Sequence, residues 1–275
     1  MGISKPFEFE GPGVHTGVGC TVRVMINEAT VKDHCRKSLR NDFRFICNGA
    51  EIPAHPRNLM AQCHRSTCLS SPEGTVQTVE HLLAALSFFF DKATVEVNGP
   101  EIPIMDGSAL PFVKAFSSAG NSQNHVLFEV NKTIEIKQNE SQAIIVPCSP
   151  GESPVYSVHL RYPPPIGDMT YKIVLDELNF LLEVAPARTY VLEKEVTQLR
   201  NSGLALGGTL QNALVINDHG PLNSDGMRFP NEPARHKMLD LLGDLALLGA
   251  FPAAHLDVYH PGHKINHEIV RRLSL

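Results

Sequence analysis

Glu232-Pro-Ala-Arg-His-Lys-Met-Leu-Asp-Leu-Leu-Gly-Asp-Leu-Ala-Leu-Leu-Gly249 reads as a single helix with both ends marked. Pro233 suits the first turn, whose N–H groups lack intrahelical partners, and Gly249 suits the position just past the end. Met238, Leu239, Leu241, Leu242, Leu245, Leu247 and Leu248 wrap most of the cylinder, so the helix is expected to be largely buried. His236, Asp240 and Asp244 recur at i, i+4 and i+8 and form one polar stripe along it. Buried imidazole and carboxylate groups are costly unless they are paired, hydrogen-bonded or bound to metal. The stripe therefore needs a partner. A metal ion is the leading candidate, and a hydrogen-bonded core network is the alternative.

Outward from this helix, the chain of 275 residues is 43% hydrophobic and 19% charged, a globular composition long enough for two domains. A net charge of −5 gives no support to a nucleic-acid function, which would favour a basic face. No apolar run approaches the roughly 20 residues of a membrane span, and the first ten residues lack the apolar centre of a signal peptide. Six cysteines without a Cys-x-x-Cys pair read as reduced thiols.

The small-polar stretch Ser117-Ser-Ala-Gly-Asn-Ser-Gln-Asn124 is the expected boundary between halves at 1–122 and 123–275. Strand character appears at 20–26, 94–97, 126–136, 143–146 and 156–161. Helices are expected at 74–90, 193–202, 234–248 and 266–273, and Thr78 is the expected cap within the first of them. A faint echo links the halves: helix, strand and Pro/Gly turn follow one another at 79–100 and again at 234–262.

Thr78-Val-Glu-His-Leu-Leu-Ala-Ala-Leu86 offers a second polar pair on an apolar helix, Glu80 and His81. Together the two helices present His81, His236 and Asp240, and three N/O ligands with an open position are usual for catalytic zinc. A neighbouring carboxylate can take the proton of a water that the metal acidifies. The histidines at 255, 260, 263 and 267 form a rival cluster, interrupted by Pro261-Gly262. Gly11-Pro-Gly-Val-His-Thr-Gly17 is followed by strand character instead of a helix, which excludes a dinucleotide loop.

Seven segments occur in one order: Gly13-Val-His-Thr-Gly17, Thr78-Val-Glu-His-Leu82, Pro100-Glu-Ile-Pro-Ile-Met-Asp-Gly-Ser-Ala109, Ala187-Arg-Thr-Tyr190, Gly203-Leu-Ala-Leu-Gly-Gly208, His236-Lys-Met-Leu-Asp240 with Gly243-Asp244, and Gly262-His263. In this the chain resembles the zinc-dependent UDP-3-O-acyl-N-acetylglucosamine deacetylases of bacterial lipid A biosynthesis. The resemblance implies an α+β fold of two similar sandwich domains, each a small sheet layered with helices, with the active site between them. It implies zinc held by His81, His236 and Asp240, Glu80 as general base, His263 oriented by Asp244, and Thr189 as an oxyanion donor. Lys237 and Tyr190 would contact substrate, Tyr190 standing where the family usually has Phe. A strand–helix–strand insertion at about 190–216 would enclose the acyl chain, lined by Val196, Leu199, Ala205, Ala213 and Val215, with Val14 near its mouth. The implied partner is an acylated UDP-amino sugar, hydrolysed to acetate and the free 2-amino sugar by a monomer in the bacterial cytoplasm, or in a plant organelle if a transit segment was trimmed. A zinc amidohydrolase for another acylated amine and a catalytically silent binding homologue are the competing readings. Residues 27–40 match no pattern.

Overall fold

The computed structural model describes residues 5–26, 40–118, 126–164 and 166–274. All but Arg40 of the unassigned segment 27–40, and the boundary stretch from 119 onward, lie outside the described residues. The chain is mixed α+β, with two larger sheets and two short ones among the described residues.

The first half opens with two hairpins. β1 (Phe7–Pro12) pairs antiparallel with β2 (Gly19–Met25), and β3 (Asp42–Cys47) with β4 (Ala50–Pro53). Alternation drives them: Cys20, Val22 and Val24 point inward from β2 while Thr21 and Arg23 point out. A short hairpin, β5 (Leu69–Ser71) and β6 (Gly74–Val76), precedes α1 (Glu80–Phe89). β7 (Lys92–Asn98) then enters between the hairpins, antiparallel to β2 and parallel to β3, giving the order β1-β2-β7-β3-β4. α2 (Leu110–Ser117) follows.

The second half repeats this plan. β8 (Leu127–Glu129) lies beside the last strand of the chain, while β9 (Ile134–Gln138) and β10 (Ser141–Pro147) form one hairpin and β11 (Val155–Arg161) and β12 (Asp168–Val174) another. After helical turns at Glu177–Val184 come β13 (Tyr190–Leu192), α3 (Glu193–Asn201), β14 (Leu214–Asn217) and β15 (Gly220–Pro221), with β13 and β14 parallel. α4 (Glu232–Leu245) continues into a 3₁₀ turn at Ala246–Leu248 and ends at Gly249, φ +74°. β16 (Phe251–Tyr259) is then the central strand, antiparallel to β10 and parallel to β11, before α5 (His263–Leu273). Helix followed by central strand is thus the element behind the sequence echo.

α1 and α4 are the buried helices that this plan places against each other. All ten residues of α1 are buried, and in α4 only Arg235 and Lys237 are not. Gly243 marks their crossing, because a Cβ there would lie 2.1 Å from the carbonyl oxygen of Glu80. That contact brings the Glu80 end of α1 against the middle of the polar stripe on α4. Phe88 stacks on Phe180 at 4.1 Å and meets Phe251 at 5.5 Å, within a core cluster that contains residues from both larger sheets.

Three expectations need correction. The helix read over 74–90 spans only Glu80–Phe89, because Gly74–Val76 pairs with β5 and Thr78 sits at φ +58°, outside helical space. Thr78 is accordingly no cap; its hydroxyl donates to Glu101 Oε1 at 2.7 Å. The strand read over 126–136 is interrupted between β8 and β9. The cysteines are not all free thiols, since Cys63 and Cys68 form a disulfide across a loop that brings their Cα atoms to 5.9 Å. Cys20, Cys47 and Cys148 are free, and Cys35 lies outside the described residues.

Candidate metal centre and catalytic cleft

The N-terminus of α4 is locked before its functional stripe begins. Glu232, fully buried, accepts from Arg188 Nε at 2.9 Å and from the Arg188 main-chain N–H at 2.9 Å. This ties α4 to the segment that carries Ala187 and Thr189. His236 uses the connection, with its Nδ1 3.1 Å from the Ala187 carbonyl oxygen.

A carbonyl oxygen only accepts, so His236 Nδ1 carries the proton. Burial strips the cationic form of its hydration and pushes the His236 pKa down to about 3. The ring is therefore neutral and Nε2 is a lone pair. That lone pair faces Asp240 Oδ1 at 3.3 Å, with His81 Nε2 3.7 Å from the same oxygen. Asp240 Oδ2 is taken by Lys237 Nζ at 2.9 Å. His81 Nδ1 is buried without a hydrogen-bond partner. A carboxylate oxygen opposed by an imidazole lone pair, in a site where all three side chains are at most 5% exposed, is unfavourable until a cation lies between them. The donor set of two imidazoles and one carboxylate suits zinc. The residues present fit the metal.

Beside this group, Glu80 is held from one side only: Oε2 accepts the Thr67 main-chain N–H at 3.0 Å, and Oε1 lies 3.8 Å from His263 Nε2. Burial pushes the Glu80 carboxyl up. His263 Nδ1 donates to Asp244 Oδ2 at 2.9 Å. Burial opposes the imidazolium, but the Asp244 carboxylate outweighs it and the His263 pKa is pushed up to about 9. His263 Nε2 is left directed between Glu80 Oε1 and Asp240 Oδ2, the latter at 3.9 Å. The structure thus sets a desolvated carboxyl and an imidazolium on either side of one point.

A cavity of about 410 Å³ opens over this point. Glu80, His81, His236, Asp240 and His263 line its polar end, with Thr189, Lys237 and Tyr190 beside them. Gly107 O fixes the Thr189 main-chain N–H at 2.7 Å. The Tyr190 ring stands edge-on to His236 at 6.2 Å, with Lys237 Nζ 5.6 Å from its centre. Val14, Leu199, Ala205 and Ala213 line the apolar reach. Asp244 is buried behind His263 and does not face the cavity.

Two expected lining residues are not among those that line the cavity. Leu192 at the end of β13 and Glu195 and Leu199 on one face of α3 line it, and Val196 falls about 100° from Glu195. Val215 pairs with Val191 across β13 and β14, and Val191 is the one that reaches the cavity. The rival histidine cluster does not converge either. His255 Nε2 is 2.7 Å from Glu152 Oε1, and His260 sits in a turn at φ +50°. His263 and His267 both turn to Asp244.

Sequence reasoning missed Thr67, Asn266 and Glu101, and took His267 only as a member of the rival cluster. Glu101, fully buried, accepts from the main-chain N–H groups of His15 and Thr16 and from the hydroxyls of Thr16 and Thr78. It thereby joins the Gly13–Gly17 turn to the start of α1. Its place between Pro100 and Ile102, two residues from Pro103, was the available signal, since a carboxylate in an apolar Pro-rich run must be paired if buried. Thr67 carried no such mark.

A sequence model of the LpxC family, UDP-3-O-acyl N-acetylglycosamine deacetylase, matches residues 1–274. The chain is 36% identical over 279 residues to the UDP-3-O-acyl-N-acetylglucosamine deacetylase of Syntrophotalea carbinolica, covering 98% of this chain and 86% of that protein. It is 37% identical over 281 residues to the protein of the same name from Nostoc sp., covering 98% and 96%. With the one from Campylobacter fetus it shares 34% over 272 residues, covering 97% and 88%.

Proposed function

We infer that this chain, which belongs to the UDP-3-O-acyl-N-acetylglucosamine deacetylase family, does its chemistry at the point between Glu80 and His263. It is a zinc-dependent hydrolase that removes the N-acetyl group from UDP-3-O-acyl-N-acetylglucosamine in lipid A biosynthesis, leaving acetate and a free 2-amino sugar. The observation that carries the site reading is the lone pair of His236 facing Asp240 Oδ1, next to a base and an imidazolium.

In this reading His81, His236 and Asp240 hold the metal. Zinc, when bound, polarises the acetamide carbonyl and acidifies the attacking water. Glu80 takes the proton of that water; held at Oε2 by Thr67, it keeps Oε1 free for the transfer. The pKa raised by burial makes Glu80 a stronger base than an exposed carboxylate and lets it carry the proton onward. His263 offers its Nε2–H to the developing oxyanion and the departing nitrogen, while Asp244 fixes its ring. Thr189 adds a hydroxyl donor toward the oxyanion. Lys237 and Tyr190 contact the sugar portion of the substrate.

The reading divides the chain into two α+β sandwich domains, 1–122 and 123–275, with the cleft between α1 and α4; the matched sheet orders support it. It takes the protein as a monomer. A nucleotide-activated sugar as substrate, and relatives that are bacterial, support a bacterial cytoplasmic reaction in this reading. No helix among the described residues is long and apolar enough to cross a membrane.

The test is product analysis on two substrates. UDP-3-O-(3-hydroxyacyl)-N-acetylglucosamine should yield acetate and free amine in equal amounts, and UDP-N-acetylglucosamine without the acyl chain should react far more slowly. Equal rates on both would instead indicate a general amidohydrolase, and no acetate from the acylated substrate would remove the activity.

The apolar reach is assigned to the acyl chain. Each buried methylene contributes roughly 0.8 kcal/mol, so a long chain supplies much of the binding energy. Ala213, 7% exposed and lining the cavity, leaves room that Phe would fill. Ala213→Phe is expected to raise KM for long-acyl substrates well above any change for truncated ones, with zinc content unaltered. Equal losses on both would place the acyl chain elsewhere.

A further inference from the structure

Thr67 is a fully buried residue on the loop closed by the Cys63–Cys68 disulfide, and every one of its polar atoms is engaged. Its carbonyl oxygen accepts the N–H of Val79, the residue just before α1, at 3.2 Å. Its N–H donates to Glu80 Oε2 at 3.0 Å. Its hydroxyl contacts Asp244 Oδ1, His267 Nε2 at 2.8 Å and His263 Nδ1 at 3.2 Å.

Proton counting orders these contacts. A carboxylate only accepts, so the single hydroxyl proton goes to Asp244 Oδ1. The hydroxyl oxygen is then open only to donors, which requires His267 to carry its proton on Nε2. The chain runs His267 N–H to Thr67 O–H to Asp244. Asp244 Oδ2 meanwhile accepts from Asn266 Nδ2 at 2.9 Å and from His263 Nδ1 at 2.9 Å. Donors therefore meet both carboxylate oxygens, and the carboxylate plane that aims His263 is fixed. The same residue fixes Glu80 through its main chain.

We propose that Thr67 is the positioning residue that sets base and imidazolium in register, its N–H holding Glu80 and its hydroxyl, backed by His267, holding the Asp244 carboxylate that aims His263. The proposal rests on the roles assigned above to Glu80 and His263. Thr67 touches no substrate and transfers no proton; it governs the spacing of two groups that do. A displacement near 1 Å of a reacting group costs about 100-fold in rate, so a loosened anchor should be read in kcat.

Thr67→Val keeps the side-chain shape and the N–H while removing the hydroxyl. It is expected to lower kcat about 10–100-fold, with KM and zinc content near those of the parent and a lower thermal midpoint, because Asp244 Oδ1 and His267 lose a buried partner. Thr67→Ser, which restores the hydroxyl, should recover most of that loss. Added to Asp244→Ala, Thr67→Val should cost little more, because the two substitutions break one chain. A Thr67→Val protein with parental kcat, a change confined to KM, a serine variant as slow as the valine one, or fully multiplicative losses would each overturn the proposal. If the valine variant does not fold, His267→Phe keeps the question open to decision: it removes the backing donor, and a kcat equal to the parent's overturns the chain. Near-parental turnover in Glu80→Ala and His263→Ala would instead remove the underlying reading. Both of those inactive beside an unaffected Thr67→Val would remove the positioning role alone.

Discussion

Asp240→Ala is expected to abolish zinc binding and turnover together. Asp240 is the one anionic member of the ligand group, and its Oδ1 is the atom that both imidazoles face, at 3.3 and 3.7 Å. Its loss leaves two ring nitrogens with no carboxylate between them and the Lys237 ammonium without its partner at 2.9 Å. A cation where the metal should sit repels a second one. Metal analysis of the purified variant should fall from about one zinc per chain, the usual complement of a three-ligand catalytic site, to near none. Acetate release should drop to the level of protein treated with a chelator. A variant that retains zinc would mean that the ion is held elsewhere.

Glu80→Ala separates from this cleanly. Glu80 lies next to the ligand group in sequence, but its carboxylate is engaged by Thr67 N–H on one oxygen and faces His263 with the other. Removing it takes away a proton acceptor and leaves the ligands in place. Zinc content and KM should stay near parental values while kcat falls ~10²–10⁴-fold, the usual contribution of a positioned general base. Near-normal kcat with zinc retained would reassign the base, and lost zinc would make Glu80 a ligand.

The sequence showed the parts of this site that one element carries. His236, Asp240 and Asp244 were legible because helical spacing places them on one face of an otherwise apolar cylinder, and the structure buries all three. Glu80 and His81 were visible as a polar pair on a second apolar helix, although the helix starts six residues later than its pattern implied. There Gly74-Thr-Val76, weak helix formers, pair with β5, and Thr78 in a left-handed conformation donates to Glu101. Contacts made across the chain were not legible. Thr67 meets Asp244 over a separation of 177 residues, and a Thr between Ser and Cys gives no periodic signal. Strands of two to four residues such as β6, β13 and β15 are too short for a period of two to declare itself. In the insertion, the family resemblance implied a strand–helix–strand unit, but the facing of Leu199 in preference to Val196 depended on how α3 docks. The resemblance to the deacetylase family supplied what spacing alone left open, namely which of several histidine groups to join.

Among the described residues, four groups bring three potential ligand atoms within 4.8 Å of one another: His81–His236–Asp240, Glu80–Asp240–His263, Asp244–His263–His267 and Cys148–Glu152–His255. Anomalous diffraction at the zinc edge from crystals of the zinc-loaded protein distinguishes them in one experiment. A single peak in contact with His81, His236 and Asp240 is the expected result. A peak at the Asp244 or Cys148 group with this one empty, or one bonded directly to Glu80, would contradict the assignment of ligands and base on which the mechanism stands.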